Sequence, residues 1–334
     1  MKQIAIVGAG AIGAKRAEAL VGVADLVAVI DNNLEAAERL AIKMEPFFGR
    51  SIEITNDWHS ITNPLDALII ATPHKYLAEI ACDAINCGVH CFIEKPGVIS
   101  WKQLADLGSS IKHTDVILRF GFNHRFHRAL LKAKMILSEG TLGELMYVRG
   151  RYGHGGRVGY EAEWRFDKTI SGGGELIDQG AHLIDLSLWV LGEDFELVSG
   201  QLTTSYWPMA VEDNAFMTLV TPSKKVAFLH ASCSEWKNLF SFEIYGKVGK
   251  LAVEGLGGSY GVERLTLYRM LPHMGPPDVT TWEYLTPDDS WRIELLEFIK
   301  AVQGQAHSPD LACLDDVEKT FSVIDQLYKE KQCI

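Results

Sequence analysis

Short apolar runs alternate with helical patterns through the first part of the chain. Each run is only a few residues long and has no regular polar positions, which is typical of parallel strands buried on both faces. The predicted strands are residues 4–7, 26–30, 52–55, 67–71, 89–93 and 116–121. Because helical patterns lie between the strands, the sequence predicts a doubly wound parallel sheet, the α/β class.

The pattern changes after residue 122, where apolar and polar residues alternate with a period of two. This period is typical of strands in a mixed or antiparallel sheet with one covered face. The predicted strands are residues 144–153, 196–206, 215–221, 226–232, 240–245, 251–254 and 264–270, and the predicted helices are residues 128–138, 291–302 and 315–328. Residues 271–277 are too rich in Pro and Gly for regular structure. We therefore predict two domains, 1–122 and 123–334, of which the second is α+β.

One helix is predicted inside the second domain, where three glycines precede a long apolar run in residues 171–191. Its polar residues fall within a stripe about 60° wide at 100° per residue. They are Asp178, His182, Asp185 and Trp189. Asp178 lies one turn before His182 and Asp185 less than one turn after it, so each carboxylate is close enough to orient the imidazole. Such a pair takes a proton from a hydroxyl near neutral pH. The alternative is an amphipathic helix with a wet polar face.

The first predicted strand leads directly into the motif Gly8-x-Gly10-x-x-Gly13, which is followed by a helical pattern. In this context the motif indicates a dinucleotide site. Gly8 permits the tight turn, Gly10 lets the backbone approach a pyrophosphate, and Gly13 lets the helix pack on the strand. The helix N-terminus, with Ala11 and Ile12, presents free N–H groups to the phosphates. The alternative is a plain Gly-rich turn.

The second predicted strand ends at Asp31. A carboxylate at this position accepts hydrogen bonds from the ribose hydroxyls of the adenosine and repels a 2′-phosphate. Asn32 and Asn33 follow, with no Arg or Lys to bind that phosphate. The sequence therefore favours NAD over NADP, although Asp31 also suits a turn or a helix N-cap.

Two further strand ends carry candidate cofactor contacts, since ligands of open α/β sheets bind beyond the carboxyl ends of the strands. Thr72, Pro73 and His74 follow one strand, where a loop would lie along the dinucleotide. Glu94 and Lys95 end another and precede Pro96, which raises the chance of a cis bond. We expect Lys95 to project into the cofactor crevice. The alternative is a surface salt bridge between Lys95 and Glu94.

Residues 149–165 concentrate arginines, aromatic residues and glycines just before the predicted helix of the second domain. One hypothesis is a loop over the substrate, in which Arg157 or Arg165 binds an anionic group through bidentate hydrogen bonds. The other is a solvated strand end followed by a mobile loop. The sequence leaves both open.

Composition narrows the class of protein. The chain has 334 residues, of which 47% are hydrophobic and 22% charged, as in an ordinary soluble globular protein. A net charge of −11 argues against nucleic-acid binding, and no apolar run is long enough to span a membrane. The N-terminus has no signal-peptide pattern. None of the six cysteines forms a Cys-x-x-Cys pair, so we expect reduced core thiols, no metal site and a cytoplasmic location.

Taken together, these motifs resemble the Gfo/Idh/MocA family of glucose–fructose oxidoreductase, inositol dehydrogenase and their relatives, over essentially the whole chain. The motifs that carry the resemblance are the glycine motif, residues 71–74, residues 94–96, residues 164–174 and Asp178-x-Gly180-x-His182-x-x-Asp185. The resemblance implies a Rossmann domain followed by a domain with a large open, mostly antiparallel sheet that commonly forms the subunit interface. It also implies a homodimer or homotetramer that oxidises a secondary hydroxyl of a sugar or cyclitol, or runs the reverse reduction.

Carried onto this sequence, the resemblance makes Lys95 the catalytic lysine and Asp178 and His182 the other polar residues of the site. Asn123 and Arg165 lie where the family often contacts substrate or nicotinamide. His182, held by Asp178, would act as general base on the hydroxyl, while Lys95 stabilises the developing alkoxide-like charge. Bound NAD would accept the hydride. The sequence leaves open whether His182 or Lys95 takes the proton.

Two other functions remain possible at this stage. Some relatives are glycoside hydrolases that use tightly bound NAD for a transient oxidation. The second of these functions is that of a non-catalytic NAD-binding regulator. Such a regulator would not need Lys95, Asp178 and His182 together. The arginines of residues 149–165 make an acidic or nucleotide-linked sugar a plausible substrate, whereas the identity of the sugar and the direction of reaction stay open.

Overall fold

A six-stranded parallel sheet forms the centre of the N-terminal part of the computed structural model, which describes residues 1–331. Its strands are β1 (Gln3–Val7), β2 (Asp25–Ile30), β3 (Glu53–Thr55), β4 (Ala67–Ile70), β5 (His90–Glu94) and β6 (Leu118–Gly121). The spatial order is β3-β2-β1-β4-β5-β6, the order of a dinucleotide-binding fold. The helices are α1 (Ala11–Leu20), α2 (Leu34–Phe48), α3 (His74–Asn86) and α4 (Trp101–Ile111). The predicted doubly wound sheet is confirmed.

An eight-stranded sheet forms the centre of the second part. Its strands are β7 (Leu145–Gly153), β8 (Leu197–Thr203), β9 (Asn214–Val220), β10 (Val226–Ser232), β11 (Leu239–Gly246), β12 (Gly249–Glu254), β13 (Glu263–Arg269) and β14 (Asp278–Tyr284). Their order is β14-β13-β12-β11-β7-β10-β9-β8. Only β7 and β10 pair in parallel, so the predicted mostly antiparallel sheet is confirmed.

Helices cover one face of this sheet. They are α5 (Arg128–Ser138), which packs on β12, β13 and β14, and α7 (Ala181–Leu191), which packs on β7 and β10. The short α6 (Lys168–Ser171) precedes α7 in the chain. A Cβ on Gly150 of β7 would lie 3.1 Å from the Leu183 side chain of α7, so the glycine lets α7 approach the sheet closely. The opposite face exposes large apolar side chains, among them Phe216 and Phe228, which are 42% and 53% exposed.

The predicted helix of residues 171–191 is interrupted. Gly172 adopts a left-handed φ of +86° after α6, and a single π-helical turn spans Leu176–Gly180 before α7 begins. Nearly all of α7 is buried, including Asp185 at 1% exposure. The alternative of an amphipathic helix with a wet polar face is therefore wrong.

Two helices end the described chain, α8 (Ser290–Val302) and α9 (Leu314–Lys331). The chain forms two compact units, one of Met1–Asn123 with Asp289–Glu318, the other of His124–Asp288 with the residues from Lys319 onward. The predicted division placed all residues after 122 in the second domain, whereas α8 packs in the first unit. Phe298 of α8 contacts the ring of Phe92 at 5.2 Å between centroids. Hereafter the two are called the dinucleotide unit and the sheet unit.

Among residues 1–331, no helix is both long and apolar enough to cross a bilayer.

Candidate active site

The glycine turn after β1 has the shape that the sequence predicts. Gly8 has a φ of +103°, and a Cβ there would lie 2.5 Å from the carbonyl oxygen of Ala71. A Cβ on Gly13 would lie 1.8 Å from the carbonyl oxygen of Gly8, so α1 packs against the turn itself. A Cβ on Gly10, in contrast, would meet no atom within 4 Å. The turn is thus tight at Gly8 and Gly13 and open at Gly10, which leaves room for a pyrophosphate.

The first turn of α1 faces this open space. Helix α1 begins at Ala11, and Gly10 before it supplies no side-chain cap. Ala11 is exposed and Ile12 half-buried. The first N–H groups of a helix have no partner within the helix, so this end of α1 suits an anion.

Asp31 holds the glycine turn from the end of β2. Its carboxylate accepts hydrogen bonds from the backbone N–H of Ala9 at 2.7 Å and of Asn33 at 2.8 Å. The N-cap of α2 is Asn33, whose side chain accepts from the N–H of Ala36. Asp31 is therefore not that cap. A carboxylate has about four lone-pair sites, so two remain for ribose hydroxyls.

Thr72, Pro73 and His74 follow β4 at the neighbouring strand end. Pro73 precedes the first residue of α3, which is the buried His74. The Thr72 hydroxyl oxygen is buried and makes no hydrogen bond to the described residues. Buried hydroxyls are rarely left without a partner. This one fits a contact with a dinucleotide that lies along the loop.

Lys95 lies directly after β5, as the sequence predicts, and the Lys95–Pro96 bond is cis. The preceding Glu94 is buried, and its Oε1 accepts a hydrogen bond from Nε of Arg16 at 2.5 Å. The sequence offered Lys95 as the salt-bridge partner of Glu94 and missed Arg16. Glu94 is thus bound in an interior ion pair. The contact between Glu94 and the cofactor stays a prediction.

Arg16 forms a buried charge cluster of α1, β5 and α8. Its Nη1 also donates to Glu294 at 2.7 Å, and its guanidinium lies 4.6 Å from the Phe92 ring centre and 4.4 Å from that of Trp291. Burial by itself lowers the pKa of Arg16, but the two carboxylates outweigh it and raise that pKa. A fully buried arginine needs such partners. Its only sequence signal is a basic residue on the inner face of α1.

Asn123, predicted to contact substrate, follows β6 and is 4% exposed. Its Nδ2 donates a hydrogen bond to the Ser290 hydroxyl at 3.0 Å. The structure thus gives Asn123 a structural partner in the dinucleotide unit.

His182 lies in the first turn of α7 in the sheet unit, where it is 5% exposed. Its ring stacks on that of His124, with centroids 3.8 Å apart and planes at 26°. The Tyr152 ring meets both imidazoles edge-on, at 5.0 Å from His124 and 5.9 Å from His182. The sequence did not identify His124 or Tyr152, since both come from segments distant from α7.

The two carboxylates flanking His182 differ in their partners. Asp178 lies in the π-helical turn, and its Oδ2 is 3.3 Å from Nε of Arg165. Asp185 accepts two hydrogen bonds from Arg125, at 2.9 and 2.5 Å, in a buried bidentate pair. Both carboxylates therefore face an arginine, and the expectation that one of them orients the imidazole stays a prediction.

The arginines predicted to bind an anion already face carboxylates. Arg157 is exposed and forms an ion pair with Glu163. Arg165 lies 3.3 Å from Glu163 and 3.3 Å from Asp178. Burial lowers the pKa of Arg165, but Asp178, Tyr160 and Glu163 outweigh that effect and raise it. The positive charge of this segment is thus balanced locally, which weakens the case for a strongly anionic substrate.

Comparison with known families decides the class of protein. Residues 2–122 match the model described as an oxidoreductase family with an NAD-binding Rossmann fold, and residues 130–252 match the Gfo/Idh/MocA C-terminal domain. The chain belongs to the Gfo/Idh/MocA oxidoreductase family. Its dinucleotide unit is accordingly an NAD-binding Rossmann domain, in agreement with the resemblance and the cofactor predicted from the sequence.

The individual relatives share about a quarter to a third of their aligned residues with this chain. Levoglucosan dehydrogenase of Pseudarthrobacter phenanthrenivorans is 33% identical over 174 residues, which cover 51% of this chain and 44% of that protein. Glucose-6-phosphate 3-dehydrogenase of Bacillus subtilis is 26% identical over 326 residues, 91% of this chain and 89% of that protein. The match to the first relative thus spans less than half of its length.

Solved structures share the whole fold. Levoglucosan dehydrogenase in complex with NADH superposes with a TM-score of 0.84 at 22% identity, over 98% of this chain and 96% of that chain. At this level of identity the similarity establishes the fold alone.

Proposed function

We propose that the protein is an NAD-dependent dehydrogenase acting on a secondary hydroxyl of a sugar or cyclitol ring. The observation that carries the proposal is the presence, in one chain, of the open glycine turn and of the buried His182, which follows Asp178 by four residues at the start of α7. Four relatives support the substrate class, since their names describe dehydrogenases of levoglucosan, glucose 6-phosphate, a D-glucoside and scyllo-inositol.

Each residue has a role in this proposal. His182 accepts the proton of the hydroxyl, because imidazole is the side chain that most often acts as a general base. Asp178 orients His182 and stabilises its charged form. Lys95 stabilises the negative charge that develops on the oxygen. Bound NAD supplies the hydride acceptor.

The same proposal covers the remaining contacts. In this proposal Asn123, Arg157 and Arg165 contact the substrate. Five cysteines of the described chain are free thiols, which supports a cytoplasmic location. The sheet face that exposes Phe216 and Phe228 supports a homodimer or homotetramer, because large apolar side chains exposed on one face are typical of interfaces between subunits.

The test is NADH formation by the purified protein with NAD and a panel of sugars, glycosides, cyclitols, uronates and nucleotide sugars. Lys95→Ala and His182→Ala should each lower kcat by about a hundredfold or more, as expected for proton transfer and charge stabilisation. The Kd for NAD should stay nearly unchanged in both variants. Loss of NAD binding in both would refute the catalytic roles, and sugar release without net NADH would favour a hydrolase.

A further inference from the structure

The helix that carries Asp178 and His182 begins without a local side-chain cap. Residues 172–174 are glycines, and Glu175, which precedes the π-helical turn, makes no side-chain cap. The first four N–H groups of a helix have no partner within it. Residues 173–178 are all buried, so N–H groups without partners would be costly here. Their partners must therefore come from another part of the chain.

Glu212, two residues before β9, binds three successive N–H groups at this helix start. Its Oε1 accepts hydrogen bonds from Gly174 at 3.0 Å and from Leu176 at 3.2 Å. Its carbonyl oxygen accepts from the N–H of Glu175 at 3.0 Å. Glu212 is 2% exposed, so water does not compete for these bonds. A carboxylate at this end of a helix is also favoured by the helix dipole.

Tyr328 of α9 completes the cap. Its hydroxyl donates to Oε1 of Glu212 at 2.7 Å. Burial and the neighbouring Glu212 raise the pKa of Tyr328, and the backbone N–H groups of Gly174 and Ile177, which bond its oxygen, act in the opposite direction. The raised pKa keeps the hydroxyl a donor to Glu212. Glu212 and Tyr328, here called the distal cap, thus bind the N–H groups of residues 174–177.

Two of the three glycines make room for the distal cap. A Cβ on Gly173 would lie 1.8 Å from the Tyr328 hydroxyl oxygen, and a Cβ on Gly174 would lie 2.1 Å from the carbonyl oxygen of Glu212. Gly172 differs, since its left-handed φ of +86° ends α6. A side chain at either of the other two positions would displace the cap. The glycines before the helix are therefore matched in shape to Glu212 and Tyr328.

The distal cap lies one helical turn from Asp178. The N–H of Asp178 donates to the carbonyl oxygen of Gly174 at 3.1 Å, and the N–H of Gly174 is bound by Glu212. A π-helical turn has one residue more than an α-helical turn, so it rotates the side chains before it by about 100° relative to those after it. Such turns are frequent at functional sites. The direction of the Asp178 side chain thus depends on how the start of this turn is held.

We propose that Glu212 and Tyr328 are positioning residues of the dehydrogenase reaction. They hold Asp178 where its carboxylate can orient His182. Neither residue contacts the substrate, since both act through the backbone of residues 174–178. The inference rests on the proposed function, in which Asp178 orients the general base.

The test is steady-state kinetics with NAD and four probes: glucose, methyl glucoside, myo-inositol and glucuronate. Tyr328→Phe removes one hydroxyl and should lower kcat about tenfold, because small displacements of a reacting group are costly. KM and the Kd for NAD should stay nearly unchanged. Glu212→Ala should lower kcat at least as much, whereas Glu212→Gln keeps an acceptor oxygen and should restore most of it. Tyr284→Phe, which removes a hydroxyl from β14 of the same unit, is the matched control.

A purely structural cap would give a different result. Tyr328→Phe would then have a lower melting temperature but the kcat of the parent protein, measured where both are folded, and this outcome would overturn the proposal. Loss of NAD affinity together with kcat would overturn it as well, because the damage would then not be confined to the turn that carries Asp178.

Hydrogen exchange tests the distal cap without a substrate. In the NAD-loaded protein, the amides of residues 174–178 should exchange faster in Tyr328→Phe than in the parent protein, whereas those of β12 and β13 should not change. Equal exchange of residues 174–178 in both proteins would refute the distal cap. If the parent protein oxidises none of the four probes, the dehydrogenase function fails separately, and faster local exchange still supports the cap.

Discussion

Nε of Arg16 donates to the Glu94 carboxylate across 2.5 Å in the interior of the dinucleotide unit. The same guanidinium binds Glu294 of α8 at 2.7 Å. One cation therefore joins the helix whose N-terminus suits the phosphates, the strand that leads to Lys95 and the returning helix α8. The same arrangement explains why β6 has a glycine at position 121, because a Cβ on Gly121 would lie 2.6 Å from Nη2 of Arg16.

Replacing Arg16 by Met should strongly destabilise the dinucleotide unit. The substitution leaves Glu94 and Glu294 buried without a cation, and breaking a buried ion pair in this way costs about 3–5 kcal/mol. Denaturation in urea, followed by circular dichroism and tryptophan fluorescence, measures the change. Lys102→Met, which breaks an exposed pair with Asp106, is the control and should change stability little. A variant Arg16→Met as stable as the parent protein would contradict this prediction.

Gly10→Ala should weaken NAD binding without affecting the fold. The added Cβ meets no atom of the protein within 4 Å but occupies the space left for the pyrophosphate. We expect the Kd for NAD to rise about tenfold or more, with the melting temperature nearly unchanged. Gly13→Ala should lower both affinity and melting temperature, because its Cβ would lie 1.8 Å from the Gly8 carbonyl oxygen. Calorimetric titration and thermal melting distinguish the two. Equal loss of stability in both variants would count against the open turn.

Most of the fold could be predicted from apolar periodicity. Short uninterrupted runs such as 26–30 indicate strands buried on both faces, and the period of two after residue 122 indicates a sheet with one covered face. Strand β14 (Asp278–Tyr284) was missed because most of its side chains are exposed, which leaves no apolar alternation. The periodicity of α8 predicted a helix, but not that it packs on Phe92 of the first unit.

Less of the candidate site than of the fold could be predicted from the sequence. Helical spacing predicts that Asp178 and His182 lie one turn apart, since that relationship is local. The same spacing could not show that Asp185 pairs with Arg125, 60 residues away, or that His124 stacks on His182. These contacts depend on tertiary packing, which no local pattern encodes. The interruption at Leu176–Gly180 was missed for a related reason, because a π-helical turn has no distinctive residue signature.

Replacement by asparagine should have different effects at the two aspartates that flank His182. Asp185→Asn leaves the buried Arg125 without its bidentate carboxylate, so the unfolding free energy should fall by about 3–5 kcal/mol. Asp178→Asn should lower kcat while the fold is largely kept, because Arg165 retains Glu163 at 3.3 Å. Urea unfolding and steady-state kinetics, run at a temperature where both variants are folded, provide the comparison. The reverse order of effects would show that Asp178 is structural and Asp185 functional.

Acidification should destabilise the sheet unit through His154. Burial lowers the pKa of this imidazole, and the charges of Arg157 and Arg165 act in the same direction, against an opposing effect of Asp178. The neutral ring is also needed for structure, since its Nδ1 accepts the N–H of Gly156 at 3.0 Å. Protonation would remove that acceptor.

The sign of the effect follows from the two states of the chain. In the unfolded chain His154 takes up a proton near its ordinary pKa of about 6.5, whereas the folded protein resists protonation to lower pH. The stabilisation is therefore complete above that pH and is lost as the pH falls toward the folded pKa. One proton limits the slope to about 1.4 kcal/mol per pH unit. Urea unfolding between pH 7.5 and 5 should give a shallower slope for His154→Gln than for the parent protein. His90 and His230, whose pKa values burial also lowers, remain in both proteins, so the difference isolates His154. Identical slopes would show that His154 is not protonated on unfolding.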